Sequence, residues 1–376
     1  MSNIGIVTFS RACNYGAFLQ AYALQEILCE DDTIKAYIID YKVGNIEKRY
    51  SPLFWMSTKR NLIKKIIKTL LEYNSILRRN NAFKKSRNSY YNYLTRPIAK
   101  QNLLVCEKEY DAYIVGSDQV WNREIIHGDD DFFFLNFTNK LKFSYAASVG
   151  NIPRTDEELQ KIIQNISRFN GISVRERSFG CLLKKYIPNV VCSLDPVFLL
   201  SRERWISFAD RINQKPYVLF FSMGQNANVN AAYLFAQKIA KDKGLVLLYL
   251  SDNDLWYKYI RAKHFGIATP NEFLGLINEA SYVVTNSFHA TAFSIIFHKD
   301  FYVETEIARN GRILDLLSDY GLEDRALQRG KTKENIRMID WEKVDYITNK
   351  NRDDSKEYLY SIVLKVKESN EHKEVL

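Results

Sequence analysis

The sequence predicts an α/β chain of two doubly wound, Rossmann-like domains facing each other across a cleft, with a basic helical insertion in the first. Three observations predict it. Short apolar runs of strand length alternate with segments of helical spacing, and this alternation occurs twice. Polar residues recur where the runs of the first half end, at Asp118, Ser148, Arg175 and Asp195, and in an open parallel sheet those ends share one edge, where ligands bind. Charge is regional. The 376 residues carry a net +9, but residues 45–104 hold 14 Lys and Arg against two acids, +12 on their own, which leaves −3 for the rest. The expected division is 1–198 for the first domain, 199–330 for the second and 331–376 for a charged, partly helical tail.

The elements follow in order. Ile4 to Phe9 is a strand, Ser10 to Gly16 a loop, Ala17 to Leu28 a helix and Ala36 to Ile39 a strand. One glycine in that loop is not a dinucleotide fingerprint, and G-x-G-x-x-G is absent, so no nicotinamide cofactor is expected. In 45–104, Leu62, Ile63, Ile66, Ile67, Leu70 and Leu71 share a helical face, with Lys64, Lys65 and Lys68 between them. A solvated helix packed on its domain, a contact with an anionic membrane and a nucleic-acid patch all fit this pattern. No nucleic-acid motif accompanies it, so nucleic acid is not an expected partner. Strands follow at Tyr110 to Val115, Phe143 to Ala147, Gly171 to Glu176 and Val190 to Leu194, with a helix at Asp156 to Phe169 behind the cap Thr155. Leu199 to Pro216 reads as the crossover. The second alternation comprises Tyr217 to Ser222, a Gly224 loop, Asn230 to Lys243, Leu245 to Leu250, Asn271 to Glu279, Tyr282 to Thr285, a helix from Ala290, Phe301 to Glu304, and a helix from Ile313 to Tyr320 stopped by Gly321.

The 46% hydrophobic content is that of a folded globular chain, and no apolar run approaches the roughly 20 residues that span a bilayer. Met1-Ser2-Asn3 leads straight into a strand with no secretory signal, so a cytoplasmic location is expected, at the inner face of the membrane if 45–104 binds lipid. Five cysteines with no C-x-x-C pair argue against a disulfide framework or a structural zinc site, and no metal is expected.

The turn Asn286-Ser287-Phe288-His289 stands between an apolar strand and an apolar helix. A helix start offers free N–H groups and a positive dipole end, so it can seat an anion, with His289 touching it. The alternative is a plain cap by Asn286 or Ser287 with His289 as a first-turn residue.

Six motifs in order resemble the polysaccharide pyruvyl transferase family. They are Asn14-Tyr15-Gly16-Ala17-Phe18-Leu19-Gln20-Ala21-Tyr22-Ala23-Leu24-Gln25, Val115-Gly116-Ser117-Asp118-Gln119-Val120-Trp121-Asn122, Ser173-Val174-Arg175-Glu176, Ser193-Leu194-Asp195-Pro196, Thr285-Asn286-Ser287-Phe288-His289-Ala290, and Arg312 ahead of Leu314-Asp315-Leu316-Leu317. The resemblance spans roughly Ile4 to Leu327; the family pattern commonly has His where this chain has Ser10. It implies a GT-B-like fold and transfer of the enolpyruvyl carbons of phosphoenolpyruvate onto two sugar hydroxyls as a cyclic ketal. The donor is a co-substrate, so no cofactor is expected. The acceptor is a sugar of a cell-surface polysaccharide or of its precursor, in some relatives lipid-linked.

A doubly anionic donor needs cations as well as a helix end, because charge-assisted hydrogen bonds give about 1.5–3 kcal/mol each against about 0.3–1 for the dipole. Arg175, Arg309 and Arg312, with Ser287, Phe288 and His289, are the expected donor-binding residues. The competing fates are an ion pair of Arg175 with Glu176 or Asp195, and exposed helix-start charges for the other two. His289 is the expected proton donor to the methylene carbon or grip on phosphate. Asp118 or Asp195 is the expected base for the hydroxyl, although Asp195 before Pro196 also reads as a turn acid. Asn14, Tyr15, Gly16, Gln119, Trp121 and Asn122 are expected on the acceptor side, where Trp121 either stacks on a sugar or belongs to the core. Two rival functions share the fold: a nucleotide-sugar glycosyltransferase using the Gly224 loop, and a non-catalytic carbohydrate-binding protein.

Overall fold

A computed structural model describes residues 1–51, 62–107, 109–126, 130–153, 155–223, 227–251, 261–305, 311–328 and 337–374. Arg309, the Gly224 loop and residues 52–61 of the basic segment lie outside the described residues.

The first sheet is parallel. Its strands are β1 (Ser2–Val7), β2 (Ile34–Ile38), β3 (Ala112–Val115) and β4 (Leu141–Ser144), in the order β2-β1-β3-β4. Two short strands, β5 (Ser173–Val174) and β6 (Val191–Cys192), continue it through bridges Phe143–Gly171 and Ala147–Val174. The second sheet is also parallel: β7 (Tyr217–Ser222), β8 (Val246–Ser251), β9 (Lys263–His264), β10 (Tyr282–Thr285), β11 (Asp300–Glu304) and β12 (Ala326–Leu327), in the order β12-β11-β10-β7-β8-β9. Each sheet has one place where the strand order reverses, between β1 and β3 and between β7 and β10. Loops leaving such a pair diverge to opposite faces and open a crevice.

Helix α1 (Tyr15–Leu28) joins the domains. Nearly all its residues are buried, which identifies a helix covered on every side. Its glutamines donate inside: Gln20 Nε2 to Thr8 Oγ1 (2.8 Å) and Gln25 Nε2 to the Ala36 carbonyl (2.7 Å). Tyr15 stacks on Phe273 of the second domain, centroids 4.4 Å apart and planes within 4°. Further along, Tyr22 packs on Phe208.

The structure refines several expectations. The basic segment packs on its domain, as one of its readings had it. Its helix α2 (Leu62–Tyr90) buries Phe83 against Tyr15, and the chain then runs extended beside β2, bridging Ile38 to Leu94 and Tyr41 to Ile98. The crossover holds a helix, α3 (Arg202–Phe208), whose Trp205 is wholly buried. The tail is one helix of 34 residues, α4 (Trp341–Glu374), that returns to the first domain. There Tyr358 donates to the Ser144 carbonyl (3.0 Å), Arg352 Nε to the Phe198 carbonyl (2.6 Å) and Asn370 Nδ2 to Ser2 Oγ (2.9 Å). Among the described residues no helix is long and apolar enough to cross a membrane.

Candidate active site

The two crevices face each other. A cavity of about 150 Å3 between them is lined from the first domain by Asn14, Ala17, Asp118 and Gln119, and from the second by Met223, Asn286, Ser287, Phe288, His289 and Arg312. The last of these stands on α5 (Gly311–Tyr320), which ends at Gly321 in the left-handed conformation (φ 65°) suited to glycine.

The turn after β10 is built by its own side chains. Thr285 Oγ1 accepts from Ser287 N–H (3.0 Å), and Ser287 caps helix α6 (Phe288–Ile296) by accepting from Ala290 N–H. Asn286 is a clasp and not a cap. Its Oδ1 accepts from Met223 N–H (2.7 Å) and its Nδ2 donates to the Met223 carbonyl (2.8 Å), so it ties the ends of β10 and β7 together. His289 is thereby aimed at the first domain, where Gly16 receives it. A Cβ on Gly16 would lie 1.9 Å from His289 Nδ1.

Asp195 is the hub. Its carboxylate is fully buried. Oδ1 accepts from Val197 N–H (3.2 Å); Oδ2 accepts from Ser117 Oγ (2.9 Å) and Arg175 Nη1 (2.7 Å) and lies 3.6 Å from His289 Nε2. Burial alone would raise its pKa, but His289 and Arg175 more than reverse that and hold it well below the usual carboxylate range. Such a carboxylate is a poor proton acceptor. Of the two readings of Asp195, the bond from Val197 N–H shows the turn acid, and the same carboxylate holds Arg175.

Arg175 does form the ion pair that competed with anion binding, yet the pair does not consume it. Its Nε is 3.6 Å from Glu176 Oε1, too long for a hydrogen bond, and Nε and Nη2 have no hydrogen-bond partner. Arg312 has no carboxylate partner among the described residues, and its Nε is unpaired. Burial and then the like charge of Arg175 lower its pKa to about 10, so it stays a cation at neutral pH under strain. Both guanidiniums lie on the Phe288 ring, at 4.5 Å and 5.9 Å from the centroid, a cation–π arrangement that eases desolvation. Phe288 and Arg312 form the wall between the cavity above and a second of about 90 Å3, which Arg175, Glu176 and Asp195 line.

The remaining expected residues divide. Asp118 lies three residues beyond β3 at φ 79°, a conformation found at few non-glycine positions, and lines the larger cavity. Gln119 lines it too, its Oε1 held by Asn122 Nδ2 (2.8 Å). Asn122 itself lines a different cavity with Trp121, beside Val149 and Pro153. Trp121 is 1% exposed and donates to the Phe133 carbonyl, so it is core and cannot stack on a sugar. Tyr15, 2% exposed, belongs to the domain interface. Asn14 caps α1 by accepting from Ala17 N–H (3.1 Å) while lining the cavity. Ser10 donates to the Ile39 carbonyl. Ser117 is missed by the sequence reading, its place inside one of the motifs being the only available signal, whereas Glu176 is expected there only as an ion-pair partner of Arg175.

Comparison with known proteins fits this geometry. No curated protein matches the chain. Among solved structures, it resembles the Staphylococcus aureus MnaA–UDP co-structure at a TM-score of 0.51 and 10% identity, covering 93% of this chain and 87% of that one. A protein described as a UDP-N-acetylglucosamine 2-epimerase from Listeria monocytogenes gives a TM-score of 0.51 at 9% identity, covering 94% and 90%. At such identities the likeness establishes the fold, which is GT-B-like. The family model described as polysaccharide pyruvyl transferase matches residues 14–304, a stretch that holds all the motifs of the cavity except Arg312, and the chain belongs to that family.

Proposed function

We propose that the protein transfers the enolpyruvyl carbons of phosphoenolpyruvate onto two hydroxyls of a sugar belonging to a cell-surface polysaccharide or its precursor. The observation that carries this is Arg312, a largely buried cation with no carboxylate partner among the described residues, beside Arg175 with a free Nη2. An anion with two charged groups relieves both. The carboxylate and phosphate would take the two guanidiniums and the α6 start, and the vinyl group would lie toward His289.

His289 then protonates the methylene carbon. C2 becomes electrophilic, and the first sugar hydroxyl attacks it and loses its proton to Asp118. Phosphate leaves with the C–O bond electrons, the second hydroxyl closes the ketal, and its proton passes to solvent or to His289. Asp118 suits the base role because it lines the cavity from the first domain, opposite His289.

The test combines thermal shift with turnover. Phosphoenolpyruvate should raise the melting temperature while nucleotide sugars do not, and inorganic phosphate release should require the acceptor. His289→Ala should stay folded and lose roughly 10²–10⁴-fold in kcat. Arg312→Ala should raise the donor KM by about 10–100-fold, the equivalent of one or two charge-assisted bonds. Stabilisation by a nucleotide sugar alone would contradict the proposal, as would wild-type rates in both folded variants.

A further inference from the structure

Helix α2 carries a feature that the transfer reaction leaves unused. Ile66, Leu70, Tyr73 and Leu77 recur at i, i+4, i+7 and i+11, the spacing of one helical stripe, and are 44%, 71%, 41% and 36% exposed. The opposite side is fixed. Ser75, Arg79, Phe83 and Ser86 are buried on the first domain, and Arg79 donates twice to the Cys13 carbonyl (3.0 and 2.7 Å). The stripe is therefore held outward by a rigid mount and cannot roll inward. Exposed cations attend it: Lys84 falls on the same line five turns on, and Arg78 and Lys85 flank it.

We infer that this face of α2 docks on the surface of an anionic lipid bilayer. An apolar stripe beside cations matches the two layers of such a surface, acyl chains below and negative headgroups above. Charge complementarity selects this occupant over a second copy of the chain, since the +12 segment would repel itself across a two-fold contact. The helix also stands beside the cavity. Asn80, one turn from the stripe, donates to the carbonyl of Tyr50, which lines the cavity with Asn14 and His289. Docking would bring that opening to the membrane, where a lipid-linked acceptor resides. This last clause rests on the function proposed above, but the docking itself does not.

The experiment is co-sedimentation with phosphatidylcholine vesicles with and without phosphatidylglycerol, with no donor or acceptor present. The full-length protein should bind the anionic vesicles at least about tenfold more tightly than the neutral ones, and added salt should weaken that binding. Leu70→Glu with Leu77→Glu, and separately Arg78→Glu with Lys84→Glu and Lys85→Glu, should each abolish it while phosphate release with a soluble acceptor is unchanged. Equal binding to both vesicles, no binding, or variants that bind like wild type would overturn the inference. So would a wild-type dimer that Leu70→Glu with Leu77→Glu dissociates, without any vesicle binding.

Discussion

At the scale of single residues, Gly16 decides where His289 stands. In the first turn of a helix alanine is ordinarily the better residue, by about 1 kcal/mol. Here its Cβ would occupy the imidazole's place. Gly16→Ala should therefore lower kcat by roughly 10²-fold, the cost of about an ångström of misplacement, with little change in melting temperature. Steady-state kinetics beside a thermal melt checks this; unchanged kcat would mean that the imidazole needs no such seat. Asp195 gives a stability prediction with a defined sign. Its folded pKa is depressed, so its contribution is fully present above the ordinary value of about 3.9 and is lost as pH falls through the lower folded value. Asp195→Asn should flatten the acid limb of the stability curve. It should also cost about 3–5 kcal/mol near neutrality in urea unfolding, because the buried Arg175 loses the carboxylate it is hydrogen-bonded to.

At the scale of elements, the sequence made the strands and the capped turns legible. Buried parallel strands are largely apolar runs, and most were visible as such; β9, Lys263-His264, and β12, Ala326-Leu327, were not. Helix α4 was not legible as a single piece, because its charged residues obscure a narrow buried seam of Leu359, Ile362, Val363 and Val366. The extended stretch after α2 was hidden for a different reason: its pairing with β2 depends on a neighbour distant in the chain. The same holds within the site. Sequence placed Arg175, Asp195 and His289 at element ends, but only the fold shows that one carboxylate oxygen bonds Arg175 and lies near the His289 ring. The Asn286 clasp on Met223 belongs to this scale too. Asn286→Ala leaves a part-buried N–H and carbonyl unpaired, and should cost about 1–3 kcal/mol of unfolding free energy and loosen the turn that holds His289. Chemical denaturation with a parallel KM measurement checks it.

At the scale of the whole molecule, the site exists only while the domains hold their relation. Arg175 and Asp118 belong to the first, His289 and Arg312 to the second. One of the contacts between the domains is the stack of Tyr15 on Phe273, backed by Arg79 over the Tyr15 ring at 5.5 Å. Tyr15→Ala should cost about 3–5 kcal/mol of stability, as for other buried aromatic truncations. It should also raise the donor KM although Tyr15 touches no substrate; a loss of stability with unchanged KM would assign the stack to folding alone. The central claim is that cations from two domains, meeting where two sheets reverse their strand order, capture one small dianion. A crystal soaked with phosphoenolpyruvate tests this most directly. The account predicts the ligand between the domains, with its carboxylate and phosphate on the guanidiniums of Arg175 and Arg312 and its methylene facing His289. Ligand bound elsewhere on the molecule, with both guanidiniums untouched, would contradict it.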